Sequence, residues 1–213
     1  MAIPKPKPSL SKELFLNERI EVMKVVGISG SSRKNGNTAI IIKTIFEELS
    51  KVGIETELIQ LADIDIQPCR ACFACKGKRN CVFKGDGFSD VFNRVVEADG
   101  IILGSPVYSA NVSSKMKAFL DRGGVVVAAN PGLLKHKVGA SVAAVRRAGG
   151  MTAVDTMNHF MLNKEMIVVG STYWNMVYGK EIGDVLNDEE EMANMRNLGQ
   201  NMAWLLKRLD KQG

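Results

Sequence analysis

From Lys24 onward, short apolar runs alternate with amphipathic stretches, and this alternation leaves the chain few architectures. The runs at 24–29 (KVVGIS), 53–60, 100–104 (GIILG), 138–145 and 166–170 read as strands. Between and after them, the segments 37–51, 88–97, 113–121, 151–162 and 188–209 carry apolar residues at helical spacing. Ile42, Ile45, Phe46 and Leu49 share a face of the first helix; Met192, Met195, Met202 and Leu206 share a face of the last. Apolar strands alternating with helices predict an α/β, doubly wound, five-stranded parallel sheet with helices on both faces. Of the two common strand orders for such sheets, five strands favour 2-1-3-4-5.

The 213 residues are enough for one large domain, expected over 24–213. Residues 1–23 read as an extension. Pro4, Pro6 and Pro8 alternate there with lysines, which favours an extended segment. Leu14, Phe15, Leu16 and Ile20 follow, as in a short helix packed on the domain or crossing to another subunit. No apolar run approaches the ~20 residues of a membrane span, and the lysine-bearing start lacks the apolar core of a secretory signal. The expectation is a cytoplasmic protein without membrane contact. The net charge of +5 is modest, and no basic stripe interleaved with aromatics accompanies it, so no nucleic-acid partner is expected.

The first strand runs into Gly30-Ser31-Ser32-Arg33-Lys34-Asn35-Gly36-Asn37-Thr38, all glycine or polar, and then a helix. Such a loop presents backbone N–H groups at a helix N-terminus, where the dipole favours an anion. Ser31, Asn37 and Thr38 add short side-chain donors, Arg33 adds a charged fork, and Gly36 permits a tight turn. Neither G-x-G-x-x-G nor G-x-x-x-x-G-K-[ST] occurs, which argues against a dinucleotide fingerprint here and against a nucleoside triphosphatase. The expectation is a phosphate site rather than a plain polar turn.

All four cysteines lie in one segment, Cys69, Cys72, Cys75 and Cys81, spaced C-x2-C-x2-C-x5-C. A disulfide framework spreads its cysteines; four thiols in one short segment read as a metal or redox site. Three close cysteines and a fourth after a short loop can converge on an iron–sulfur cubane. Zinc also accepts four thiolates, though usually from two separated pairs, and free thiols are the third alternative. Arg70, Lys76, Lys78, Arg79 and Lys84 surround the cysteines, with no acidic residue from Gln67 to Gly85. These cations suit an anionic cluster or the docking of an acidic electron donor. His136 and His159 have no partner that would make a triad or metal site. With no nucleophile–base pair, no catalytic side chain is assigned.

The stretches GSSRKNGNT (Gly30–Thr38) and GSPVYSANVSSKMKAFLDR (Gly104–Arg122) resemble the phosphate loop and second flavin loop of the NADPH-dependent FMN reductase and iron–sulfur flavoprotein branch of the flavodoxin-like superfamily. The resemblance runs from about Lys24 to Leu209. It implies FMN at the C-terminal edge of a flavodoxin-like sheet, with Pro106, Val107, Tyr108 and Asn111 bordering the isoalloxazine. Arg146, Gly149 and Gly150 fit the family's Gly-rich stretch after the fourth strand, at the flavin's pyrimidine edge. It also implies a [4Fe–4S] cluster at the four cysteines, NAD(P)H or a ferredoxin-like donor, a small-molecule or protein acceptor, and a homodimer or homotetramer. The flavin would carry the chemistry. Two rivals are a non-enzymatic flavodoxin-type carrier, against which the basic balance speaks, and a flavin-binding sensor without turnover.

Overall fold

The strands alternate strictly in the face they present, which sets the layers of the molecule. The computed structural model describes residues 22–210; apart from Val22 and Met23, the expected 1–23 extension lies outside them. In β1 (Lys24–Ser29), Val26 and Ile28 face one layer and Val25 the other. In β3 (Gly100–Pro106), Ile101 and Leu103 oppose Ile102. In β4 (Val138–Val145), Ala143 and Val145 oppose Val138, Ala140, Val142 and Ala144. This period-two division feeds two apolar clusters.

One face is covered by α2 (Phe88–Glu97), α3 (Ser114–Ala128) and α4 (Gly150–Leu162), through Phe88, Phe92, Phe119 and Met157. The other is covered by α1 (Asn37–Ser50) and α5 (Glu189–Asp210), through Ile41, Ile42, Ile45, Met195, Leu198 and Met202. The α1 helix lies close to β1: a Cβ at Gly27 would come within 2.5 Å of Ile42 Cγ2 and 2.7 Å of Phe46 Cζ.

All pairings between strands are parallel, with β2 (Glu55–Gln60) at one edge and the order 2-1-3-4-5. The expectation holds with one correction: a sixth short strand shares the far edge. β5 (Ile167–Val168) pairs with the start of β4, the chain leaves the sheet, and β6 (Met176–Tyr178) returns to pair with its end. The detour is pinned by Asn194 of α5, buried at 3% exposure. Its Oδ1 accepts from Thr172 Oγ1 (3.1 Å) and from the Tyr173 N–H (3.2 Å), and its Nδ2 donates to the Trp174 carbonyl (3.0 Å).

The α3 helix also departs from expectation. It continues past Asp121 through Gly123 and Gly124 to Ala128. Two glycines cost a helix about 1 kcal/mol each relative to alanine, but Arg122, Val126 and Val127 beyond the expected end are buried, and tertiary packing outweighs propensity. At the head of α5, Asp188 caps the helix and ties it to β6. Its Oδ1 accepts from the Glu191 N–H (3.4 Å) and its Oδ2 from the Tyr178 N–H of β6 (2.9 Å). Among the described residues, no helix is long and apolar enough to cross a membrane.

Candidate functional site

The phosphate-loop candidate sits where β1 and β3 diverge, the switch point of a 2-1-3-4-5 sheet. The Gly30 N–H donates to the Gly104 carbonyl at 2.8 Å, and Ser113 Oγ donates to the Gly30 carbonyl at 2.6 Å. Ser113 also caps α3, its Oγ accepting from the Met116 N–H at 3.1 Å. Ser105 Oγ accepts from the Ser113 N–H at 2.9 Å, so the loop, the end of β3 and the start of α3 form one bonded unit.

Within the loop, Ser31 Oγ accepts from the Arg33 N–H at 3.0 Å. Thr38, in the first turn of α1, is 1% exposed, and its Oγ1 is buried with no hydrogen-bond partner among the described residues; Ser29 Oγ is in the same condition. A buried hydroxyl left unpaired costs about 1–3 kcal/mol. Here Thr38 is one of the residues lining a cavity at a helix N-terminus, where unbonded N–H groups and the helix dipole favour an anion. The arrangement fits a phosphate.

Two expected phosphate donors are already engaged elsewhere. Asn37 Nδ2 donates to the Glu181 carbonyl and its Oδ1 accepts from the Gly183 N–H, both at 2.8 Å. Arg33 Nη1 donates to the Lys180 carbonyl at 2.9 Å. These side chains clamp the segment after β6 across the loop, which brings Gly179 and Lys180 to the rim, two positions that sequence reasoning did not single out.

The cavity holds about 240 Å³. It gathers Ser31, Arg33, Asn37 and Thr38 from the first loop, Pro106, Val107 and Tyr108 from the second, and Arg146 from the third. Gly36, Asn111, Gly149 and Gly150 are not in its lining and act behind it. Gly149 has φ +85°, and a Cβ there would lie 2.7 Å from Ala110 Cα and 3.0 Å from Val107 Cγ1, so the third loop rests against the second. Gly150 lies beneath Met176 of β6. Asn111 Oδ1 accepts from the Val112 N–H (2.7 Å) and from Thr156 Oγ1 (2.9 Å). Residues 108–111 close a tight turn through paired backbone bonds of 2.8 and 3.0 Å. Ser109 and Ala110 take left-handed conformations (φ 47° and 61°), strain of about 1–2 kcal/mol apiece for residues with a Cβ. Strain of this kind collects at ligand sites.

The four cysteines line a second, smaller cavity of about 30 Å³, walled by Phe83 and by Val125 and Val126 of α3. Cys72 is exposed, Cys75 buried, and Cys69 and Cys81 lie between; all four are free thiols. Burial pushes the Cys75 thiol up, and the neighbouring Cys81, Cys69 and Cys72 add to the effect. Among the described residues no three His, Cys, Asp or Glu side chains are set around a single ion. The loop is tightly wound, with left-handed Ala71, Phe73 and Arg79 (φ 51°, 53° and 57°). The Ala71 N–H points at Cys69 Sγ (3.5 Å). Two buried asparagines that no local pattern marks hold the winding. Asn130 Nδ2 donates to the Cys75 carbonyl (3.0 Å) and its Oδ1 accepts from the Arg79 N–H (3.1 Å). Asn80 Nδ2 donates to the Ser89 carbonyl (3.0 Å) and to Asn93 Oδ1 (2.7 Å).

The chain is similar to known proteins over most of its length. The family model for NADPH-dependent FMN reductase matches residues 23–181. An iron-sulfur flavoprotein of Methanocaldococcus jannaschii is 39% identical over 196 residues, covering 89% of this chain and all of that protein. Among solved structures, RosB with bound 8-demethyl-8-formylriboflavin-5'-phosphate superposes with a TM-score of 0.73 at 16% identity, covering 89% of this chain and 81% of that one. A WrbA-like flavodoxin of Agrobacterium tumefaciens does so with a TM-score of 0.62 at 14% identity, covering 88% and 98%. At these identities the two structures speak for the fold, which is flavodoxin-like.

Proposed function

Because the chain belongs to the NADPH-dependent FMN reductase family, in its iron–sulfur flavoprotein branch, we propose that it is an FMN-dependent oxidoreductase. It takes electrons from NAD(P)H or a ferredoxin-like donor and passes them to a small-molecule or protein acceptor. The observation that carries the flavin half of this reading is Thr38, whose Oγ1 is a buried donor without a partner among the described residues, in the lining of a cavity shared by three βα loops. FMN supplies hydride and single-electron chemistry when bound.

The chain's own groups do the rest. Thr38, Ser31 and the first N–H groups of α1 hold the phosphate, with Arg33 adding charge at the rim. Pro106, Val107 and Tyr108 border the ring, kept in place by Gly149 and by Asn111 behind them. Arg146 and the start of α4 offer positive potential at the edge of the flavin that gains negative charge on reduction. Cys69, Cys72, Cys75 and Cys81 hold a [4Fe–4S] cluster, which carries single electrons. The four thiols share one cavity, and thiolates are the ligands an iron–sulfur cluster uses. Both sites are built on α3. Ser113 at its cap bonds the phosphate loop and Arg122 lines the cysteine cavity, nine residues on, or about 14 Å along the axis.

The test is the ratio of iron and acid-labile sulfide to FMN in protein purified without oxygen, followed by steady-state NAD(P)H oxidation. About four irons and four sulfides per flavin with turnover is the expected result. Iron near zero with FMN retained removes the cluster and leaves a flavin reductase. FMN bound without any NAD(P)H or ferredoxin turnover leaves a carrier.

A further inference from the structure

The cysteine loop is closed by one buried ion pair. Arg122 of α3 is 2% exposed and Asp86, just after the loop, has a fully buried side chain. Arg122 Nη1 donates to Asp86 Oδ2 and to the Gln67 carbonyl (3.3 Å), and Nη2 donates to the Phe83 carbonyl (3.0 Å). Gln67 lies two residues before Cys69, and Phe83 two residues after Cys81. Asp86 closes the ring from its own side: Oδ2 accepts from the Gln67 N–H (2.7 Å) and Oδ1 from the Phe88 N–H (3.2 Å). Both ends of the loop are therefore tied to a single guanidinium.

That guanidinium is in the wall of the cysteine cavity, and Asp86 is not. It lies 4.3 Å above the Phe88 ring and 5.3 Å from the Phe83 ring, whose centre is also 4.2 Å from the guanidinium carbon of Arg70. A buried pair of this kind is weak evidence for stability by itself, since desolvation of both ions offsets their attraction. Lysine would keep the charge but not the fork, because one ammonium has no planar set of donors for a carboxylate and two carbonyls at once. The planar fork gathers both loop ends, and the residue that carries the positive charge lines the same cavity as the four cysteines.

We propose that Arg122 is the positioning residue of the cysteine loop, closing it around the thiolates and holding a buried cation against the cluster they carry. The proposal rests on the cluster reading above. It makes the two halves of one ion pair act in opposite directions on one observable. Removing Arg122 leaves Asp86 as an uncompensated negative charge and disfavours adding an electron to the cluster. Removing the Asp86 charge leaves Arg122 uncompensated and favours it. Loosening of the loop alone has no reason to reverse sign between the two.

The experiment is EPR-monitored redox titration of the anaerobically purified full-length holoprotein, with iron, sulfide and FMN assayed on the same samples. Arg122→Gln, Asp86→Asn, Arg122→Lys and Lys115→Gln are compared with the unmodified protein. Lys115 is the control, a second cation on α3 whose Nζ bonds the Leu61 and Ala62 carbonyls (2.6 Å each) away from the cysteine cavity. The expected results are a lower cluster potential in Arg122→Gln and a higher one in Asp86→Asn. Arg122→Lys and Lys115→Gln should stay near the unmodified value. If Asp86→Asn does not fold, the contrast between Arg122→Gln and Arg122→Lys carries the test. If Arg122→Gln folds with its FMN but loses iron while Lys115→Gln keeps it, the positioning role stands; equal iron loss in both overturns it. Shifts of the same sign in Arg122→Gln and Asp86→Asn, or no shift in either, overturn the proposal while the cluster stands. An unmodified protein without iron overturns the cluster reading and this proposal with it.

Discussion

Replacing Thr38 by valine separates the two consequences of an unpaired hydroxyl. The exchange keeps the shape of the side chain, and one methyl stays where Thr38 Cγ2 now packs, close to Gly104 on β3. What is lost is Oγ1, buried in the apoprotein without a partner. In the apoprotein its removal relieves a desolvation penalty, so stability is unchanged or rises, by up to about 1 kcal/mol once shielding by neighbouring groups is allowed for. On the proposed reading the same hydroxyl donates to a charged phosphate in the complex, and such bonds contribute about 1.5–3 kcal/mol. At a factor of ten per 1.4 kcal/mol, FMN affinity should fall roughly 10- to 150-fold. Fluorescence quenching of FMN on titration with apoprotein gives the affinity, and calorimetric melting of the apoprotein gives the stability. An apoprotein that melts several degrees lower, or an FMN affinity within twofold of the original, refutes the assignment of Thr38 to the phosphate.

Gly149→Ala adds a Cβ 2.7 Å from the Ala110 backbone at a φ of +85°. Left-handed strain of about 1–2 kcal/mol and overpacking of about 1–3 kcal/mol should lower unfolding free energy by roughly 2–5 kcal/mol in urea titration, with weaker FMN binding. The pH dependence of the apoprotein should report Asp86. Burial pushes its carboxyl up, but the Gln67 N–H, the Arg122 guanidinium and the Phe88 N–H together hold it below the usual carboxylate range. A depressed folded pKa stabilises above the unfolded value of about 3.9 and is lost as pH falls through the folded one. The stability gap between the unmodified apoprotein and Asp86→Asn should therefore be constant near neutrality and narrow below about pH 4; a gap that widens on acidification contradicts the sign. Arg70, Lys76, Lys78, Arg79 and Lys84 are all exposed around the cysteine cavity. Reduction by an acidic protein donor should slow as ionic strength rises, and stopped-flow rates independent of salt would remove these cations from docking.

What the sequence could reveal follows from the range of each interaction. β1, α2 and β4 are where periodicity places them, because a strand or helix that buries one face writes its period into consecutive residues. The phosphate loop is legible for the same reason: its glycines, its polar run and the helix after it are neighbours in the chain. The split far edge is not, since the detour between β5 and β6 depends on Asn194, about 20 residues away, whose amide looks in sequence like any polar residue on a helix. Asn37 shows the limit most clearly. Its position in a polar loop at a helix start marks it as an anion donor, and nothing local reveals that both ends of its amide are committed to carbonyl 181 and amide 183. Arg122 lies at the end of a stretch read for its flavin contacts, and Asp86 at the edge of a segment read for its cysteines. Their pairing spans 36 residues and leaves no pattern that a window of sequence can hold. Where such a pair lies decides its consequence. An ion pair of this strength on the surface would be screened to little effect. With Arg122 in the wall of a cavity lined by four thiols, the pair ties both ends of the loop and, as proposed above, sets the charge the thiols face.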